Sequence, residues 1–259
     1  RTTKSLKNSG IAMMFYVVNL VLQFFSRKIF LEYLGTEILG LNTTALNLLQ
    51  FLNLAELGIS AAVGFTLYKP LNENDQFTIN EVITLQGHLY RRIAFLIIGG
   101  AVILMLFFPW FFRKITLPLW YAYASFGVLL FSSLLGYFFN YKQIILSASQ
   151  QDYKIQYSFR SINLIKILVQ MLAVYYLDHG YIWWLILEVI FSIIASISLN
   201  YTTKREFPKL EDTRQSLDEL KKKYPEIVIK IKQLFFHKIG SFALTQSSPI
   251  IIYAFTSLT

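Results

Sequence analysis

The 259-residue sequence contains no cysteine, and only 15% of its residues are charged. The absence of cysteine excludes disulfide bonds, thiolate metal sites and a cysteine nucleophile. The sequence also lacks the motifs GxxxxGK[ST], HExxH and GxSxG, so it has no recognisable phosphate-binding, zinc-protease or serine-hydrolase signature. Its three histidines, His88, His179 and His237, lie near expected helix ends, and we interpret them as interface residues rather than metal ligands.

The sequence contains long uncharged runs. One lies between Arg92 and Arg113, and a longer one extends from Ile115 to Tyr141. A helix needs about 20 apolar residues to cross a bilayer. Hydrophobic residues make up 55% of the chain and its mean hydropathy is +0.48, more apolar surface than a soluble domain of this length could cover. The sequence therefore predicts an all-α polytopic membrane protein.

Hydrophobic runs and turn residues predict a series of helices joined by tight turns at Gly35, at Pro118 and at Asp178 to Gly180. The predicted helices cover residues 9–34, 37–68, 87–112, 117–147, 154–178, 180–202 and 235–259. We expect a six-helix lobe over residues 1–203, a basic linker with an amphipathic helix over 204–233, and the first helix of a truncated second lobe over 234–259. Because the chain opens on Arg1 and ends inside an apolar run, we expect a fragment of a longer protein.

Basic residues are distributed unevenly between the two expected sides of the membrane. One side carries those of the N-terminus and of residues 69–92, 142–154 and 204–238, whereas the other carries Arg113 and Lys114. The positive-inside rule then predicts a cytoplasmic N-terminus and a cytoplasmic linker. In that linker, Ile227, Ile231 and Leu234 are expected to lie on the bilayer surface. Since the net charge of +9 is concentrated beside the spans, it does not indicate a nucleic-acid partner.

Charged residues within the predicted spans are the main indication of function, because each costs about 2.5 to 3.5 kcal/mol to insert. They occur in four of the spans, and helical spacing groups them with amides into polar stripes. Asn19, Gln23 and Arg27 recur every four residues in the first span. Asn53, Glu56 and Ser60 share a face of the second span. The fifth span presents Arg160, Asn163 and Lys166, and the sixth contains Glu188.

Helical rise predicts which of these charges lie at similar depth. Counted from the outer turns, Glu56 and Arg160 come level, and so do Lys166 and Glu188. We therefore predict two ion pairs, which either hold the bundle together or border a polar cavity. Two alternatives stay open: Arg27 with Lys28 could extend to the outer interface, and Glu56 is either a structural partner or a coupling-ion or proton site.

Several segments of the chain resemble bacterial polysaccharide-export flippases of the multidrug/oligosaccharidyl-lipid/polysaccharide exporter superfamily. The most specific are LAELGI in the second span and the KPL that follows it, within a similarity from Ser26 to Leu71. Further similarity covers the opening RTTKSLKNSG and the segments Tyr137 to Tyr153 and Leu234 to Ile252. The resemblance implies the N-terminal half of a transporter whose two six-helix lobes form a V around a central cavity.

By this resemblance, the protein would flip an undecaprenyl-diphosphate-linked oligosaccharide from the inner to the outer leaflet of the bacterial plasma membrane, by alternating access of the two lobes. We expect no enzymatic activity and no cofactor beyond a coupling Na⁺ or H⁺. The expected partners are this lipid-linked substrate, membrane lipids and other polysaccharide-assembly proteins. Surplus cations in the cavity suit an anionic substrate. The predicted substrate-binding residues are Arg27, Arg160, Lys166, Asn19, Gln23 and Asn163, with Glu56 and Glu188 as charge-balancing or coupling-ion residues.

Three other functions are compatible with a polytopic helical protein. A multidrug or cation antiporter of the same superfamily would favour surplus carboxylates rather than surplus cations. A membrane glycosyltransferase or polymerase would need sizeable outer loops with acidic or histidine-rich motifs, and the predicted outer loops are short. A scaffold for an assembly complex would have polar stripes that are packed and dry.

Overall fold

The structure is a computed structural model that describes residues 2–56, 58–113, 116–237 and Gly240. All regular secondary structure in these ranges is helical, which confirms the predicted all-α class. The predicted helix over 235–259 lies almost entirely outside the described residues.

The helices are numbered along the chain. They are α1 (Thr2–Asn53), α2 (Ile59–Glu73), α3 (Gln76–Leu106), α4 (Phe108–Phe111), α5 (Trp120–Phe138), α6 (Ile144–Ala148), α7 (Asp152–Ile155), α8 (Ser161–Tyr176), α9 (Gly180–Glu206) and α10 (Leu217–Lys223), followed by α11 (225–237). Short 3₁₀ turns occupy Leu54–Glu56 and Asn140–Gln143, and a π-helical turn occupies Gln156–Arg160.

Four helices in the described ranges are long and apolar enough to cross a bilayer: α1 from Leu6, α3, α5 and α9. Helix α1 has non-helical dihedral angles at Gly35 (φ 83°, ψ 171°), a conformation that glycine adopts at little cost. Gln23, before Gly35, and Asn42, after it, line the same cavity. The two halves of α1 therefore fold back on each other, as the predicted turn at Gly35 requires.

Four of the predicted spans are not single α-helices. Those over 87–112 and 117–147 are divided at Phe107 and by the 3₁₀ turn Asn140–Gln143. The predicted helix over 37–68 breaks after Asn53 and resumes at Ile59, with Gly58 at a φ of 101°. The predicted helix over 154–178 contains the π-helical turn Gln156–Arg160, which lies between α7 and α8. The structure thus establishes four apolar helices of spanning length, whereas the expected total of six spans stays a prediction.

Contacts between segments define two ends of the bundle. At one end, Asn8 donates a hydrogen bond to the carbonyl of Gln150 (3.0 Å), and Lys142 pairs with Asp212 (3.0 Å). At the other end, Glu37 accepts a hydrogen bond from the Thr116 hydroxyl (2.8 Å). These contacts place the N-terminal segment beside Gln150, and Lys142 beside the expected linker; which end faces the cytoplasm stays a prediction.

The expected linker is folded against the bundle. We call residues 207–224 the strap, because they cross the basic end and dock on α3. The fully buried Glu81 carboxylate accepts two hydrogen bonds from the Lys223 ammonium, both 2.7 Å, and a third from the Tyr224 hydroxyl. The Thr213 amide donates to the Thr84 hydroxyl (2.9 Å). The strap is therefore a structural part of this end.

The prediction that the linker's apolar residues lie on the bilayer is wrong for Ile227. That side chain is completely buried in the same cluster as Leu220 of the strap, and Ile231 and Leu234 pack against the cluster. The apolar face of this segment is present as predicted, but it packs against the protein's own core and not against lipid. Helix α11 consequently runs under the break in the second predicted span, where Leu234 lies beside Gly58.

Candidate functional site

A polar cluster surrounds the helix break that follows Asn53. The Glu56 carboxylate oxygen Oε1 accepts hydrogen bonds from the Ser60 hydroxyl (3.2 Å) and the Tyr90 hydroxyl (2.5 Å). Ser60 and Tyr90 are also within hydrogen-bonding distance of each other. Tyr90 comes from α3 and is only 5% exposed. Its hydrogen bond therefore holds the Glu56 carboxylate against α3.

Helix α5 holds the other side of the break. The Asn53 side-chain oxygen accepts hydrogen bonds from Ser133 (3.3 Å) and from the Tyr137 hydroxyl (3.1 Å). A broken helix leaves backbone groups unpaired, and within a membrane such a break is tolerated where it is buried in protein or lines a polar cavity. The break is therefore an organised element with polar partners on both α3 and α5.

A cavity of about 300 Å³ adjoins this cluster; we call it the Gln86 cavity. Ser60 and Tyr90 line it on one side and Arg160 on another. Gln86 is 1% exposed, and its side-chain oxygen has no hydrogen-bond partner among the described residues. Since an unpaired buried acceptor costs about 1 to 3 kcal/mol, the Gln86 cavity favours an occupant that donates a hydrogen bond.

Tyr141 also lines the Gln86 cavity, and it connects that cavity to the strap. Its hydroxyl donates to the two carboxylate oxygens of Asp212 at 3.1 and 3.2 Å. Burial, followed by the neighbouring Asp212 carboxylate, raises the pKa of Tyr141. The hydroxyl therefore stays protonated and remains a donor at physiological pH.

Arg160 lies between two cavities. Together with Gln156 it lines both the Gln86 cavity and a second cavity of about 210 Å³, to which Asn19 and Asn163 also contribute; we call the second one the Asn19 cavity. The Arg160 side chain is exposed, and among the described side chains no carboxylate forms an ion pair with it. Its guanidinium is thus available to a bound anion.

Two more predicted residues line a third cavity, of about 360 Å³, between the two halves of α1; we call it the Arg27 cavity. Arg27 and Gln23 contribute from the first half and Asn42 from the second. Lys28 is exposed and does not line this cavity. Of the six predicted substrate-binding residues, five therefore border cavities: Arg160, Asn19, Asn163, Gln23 and Arg27.

The sixth, Lys166, is paired within the bundle. Its ammonium lies 2.7 Å from Glu188 Oε1, with both side chains largely buried, which confirms the predicted pairing. Gln170 donates to the other Glu188 oxygen (3.1 Å) and to the Trp184 carbonyl (3.0 Å). The charge of Lys166 is neutralised by Glu188, and this favours a structural role; its predicted contact with substrate stays a prediction.

The predicted ion pair between Glu56 and Arg160 is wrong. The described side chains form no such pair; Glu56 Oε1 instead accepts hydrogen bonds from the hydroxyl groups of Ser60 and Tyr90. Ser60, one helical turn after Glu56, lines the same cavity as Arg160. Rise per residue does not report the lateral separation between helices, which here leaves room for the cavity.

Residues from α3 were missed by the sequence reasoning. Gln86 and Tyr90 are four residues apart in the more polar first half of α3, a spacing that puts both side chains on one face. That spacing was the available signal. The described residues contain no group of three or more His, Asp or Glu side chains that could hold a metal ion.

Comparison of the chain with protein-family models, with curated proteins and with solved structures finds no match. The resemblance to polysaccharide flippases therefore stays a prediction. What the fold and cavities define is coarser: an all-α protein with apolar helices of membrane-spanning length and polar cavities between them.

Proposed function

We propose that this chain forms one lobe of a membrane transporter, and that it moves an anionic, lipid-linked oligosaccharide between leaflets. The observation that carries the proposal is Arg160, an exposed cation without an ion-pair partner among the described side chains, at the junction of the Gln86 and Asn19 cavities. Guanidinium groups bind phosphate oxygens through charge-assisted hydrogen bonds. The diphosphate of such a substrate would contact Arg160.

The amides around Arg160 support a saccharide on the same substrate. Gln86 presents an unpaired acceptor, which suits a donating hydroxyl group, and Asn19, Asn163 and Gln156 line the adjoining Asn19 cavity. Sugars carry many hydroxyl groups that both donate and accept, whereas a hydrophobic drug would leave these amides unsatisfied. This chemistry favours the oligosaccharide over the antiporter alternative.

Glu56 would serve as the coupling site in this proposal. It is a carboxylate at a break in an apolar helix, hydrogen-bonded to Ser60 and Tyr90. Discontinuous helices bind coupling ions in secondary transporters of several folds. Protonation or Na⁺ binding at Glu56 would alter its bonds to α3 and so bias the packing beside the Gln86 cavity.

The test is translocation of lipid-linked oligosaccharide in flippase-deficient cells that express the full-length protein. Arg160→Gln keeps a polar side chain but removes the cation, and we expect export to fall at least about tenfold, as loss of one charge-assisted contact predicts. Arg92→Gln is the matched control, because Arg92 is an exposed cation on α3 that lines none of the Gln86, Asn19 or Arg27 cavities.

Accumulation of substrate in the inner leaflet with Arg160→Gln, and normal export with Arg92→Gln at matched expression, would support the proposal. Normal export by Arg160→Gln would remove Arg160 from substrate binding. Failure of the unmodified protein to restore export would overturn the flippase function itself.

A further inference from the structure

A groove with a volume of about 970 Å³ lies between α5, α9 and the strap. It shares no lining residue with the Gln86, Asn19 or Arg27 cavities. Its walls are mainly Phe131 and Leu135 of α5, Phe139 directly after α5, and Ile193, Ile197 and Tyr201 of α9. Ile197 is 64% exposed and Phe139 58%, so the groove opens sideways, toward the space that lipid fills around a spanning helix.

Ser196 and Asn200, two polar residues of the groove wall, are hydrogen-bonded within the protein. Asn140 donates a hydrogen bond to the Ser196 hydroxyl (3.0 Å), and Asn200 donates to the Asn140 side-chain oxygen (3.2 Å). Asn200 also donates to the Ser196 carbonyl (2.9 Å). The wall between the two helices is therefore mainly apolar, which suits a hydrocarbon chain.

The length of the groove matches one leaflet of a bilayer. Its lining extends from Phe131 in α5 to Phe139, the residue that follows this helix, and along α9 from Ile193 to Lys204. At 1.5 Å per residue these stretches measure about 12 and 16 Å. The hydrocarbon core of a bilayer is about 30 Å thick, so the groove accommodates a chain from the leaflet on the strap side.

Charged residues are confined to the strap end of the groove. Lys142, Lys204 and Glu211 line it there. The Lys142 ammonium is 3.0 Å from Asp212, whereas Lys204 is exposed and forms no ion pair with any described carboxylate. A lysine without an ion-pair partner at the edge of an apolar groove can bind the phosphate of a lipid whose acyl chain lies in the groove.

We infer that this groove is a binding site for a glycerophospholipid of the strap-side leaflet, with one acyl chain between α5 and α9 and the phosphate at Lys204. The inference goes beyond the proposed transport function and does not depend on it, because it requires only that α5 and α9 lie in a membrane. Lipid held here would contact both a spanning helix pair and the strap, and so would stabilise their arrangement.

Native mass spectrometry of the full chain in detergent tests the site, with phosphatidylglycerol, diacylglycerol and polyprenyl phosphate as added lipids. Ile197→Trp fills the groove, and its control is Ile194→Trp, an exposed position on α9 that does not line it. Lys204→Gln removes the cation, and its control is Arg205→Gln, an exposed neighbour outside the lining.

We expect Lys204→Gln to lower phosphatidylglycerol retention about fivefold and to leave diacylglycerol retention unchanged, while Ile197→Trp lowers both. The two control variants should retain lipid as the unmodified protein does. Equal losses in Ile194→Trp and Ile197→Trp would mean ordinary surface lipid and overturn the site. So would unchanged retention by Lys204→Gln or preferential retention of polyprenyl phosphate. Lys204→Gln, at an exposed position, keeps the test decisive if Ile197→Trp does not fold.

Discussion

At the scale of single residues, Gly58 is a position where an added side chain should strongly destabilise the fold. Its φ is +101°, and a Cβ atom there would lie 2.9 Å from Leu234 Cβ and 3.0 Å from the Ile231 carbonyl oxygen of α11. We expect Gly58→Ala to lower the free energy of unfolding by about 2 kcal/mol or more, through backbone strain and this clash. Denaturant unfolding in detergent, followed by circular dichroism, measures the effect.

Gly64→Ala is the control for that prediction. Gly64 lies in α2, and a Cβ atom there would meet Ile144 Cδ1 at 3.5 Å, an ordinary contact. Replacing a helical glycine by alanine gains about 0.5 to 1 kcal/mol, so this variant should unfold no more easily than the original. If the two variants behave alike, α11 does not pack under the break.

At the scale of elements, helix α10 of the strap begins at a cap that contains a carboxylate. Ser216 and Glu219 form a reciprocal capping box at the start of α10, and the hydrogen bonds from Ser216 lower the pKa of Glu219 below its ordinary 4.5. A lowered folded-state pKa means that the cap stabilises above about pH 4.5 and that this stability is lost as the pH falls further. Acid should therefore loosen α10.

Hydrogen–deuterium exchange of residues 217–223 measures this loosening. Corrected for intrinsic exchange, protection should be lower at about pH 3.5 than at about pH 6, because the ordinary pKa of a Glu carboxyl, about 4.3, lies between these two values. Glu219→Gln should show weaker protection already at the higher pH and a smaller change with pH. Glu226→Gln alters an exposed carboxylate outside the capping box and should retain the original profile. A profile for Glu219→Gln that matches the original would rule out the cap as the cause.

At the scale of the whole molecule, the concentration of Lys and Arg at the strap end predicts that this end faces the cytoplasm. Because the chain has no cysteine, single cysteines can report on each end. Asp178 and Asp218 are both exposed, the first in the turn before α9 and the second in α10. A membrane-impermeant maleimide should label Asp178→Cys in intact cells and Asp218→Cys only after permeabilisation. The reverse pattern would invert the orientation.

Local sequence patterns predicted those features that depend on neighbours along the chain. Uncharged runs identified the apolar helices, Gly35 and the turn before Gly180 marked where helices end, and matched depth identified the Lys166–Glu188 pair. Each of these follows from helical rise, from backbone preference or from the cost of an unpaired charge in lipid. All of these properties depend on one segment or on two adjacent segments, and not on the rest of the fold.

Features that depend on lateral packing were decided only by the tertiary structure. Tyr90 and Ser60, rather than Arg160, bind Glu56, and Ile227 is buried under the bundle rather than on the bilayer. In both cases the sequence determined that the group needed a partner, a polar one for Glu56 and an apolar one for Ile227. Which partner satisfied it depended on how the helices pack side by side, because periodicity along one helix carries no information about distances between helices.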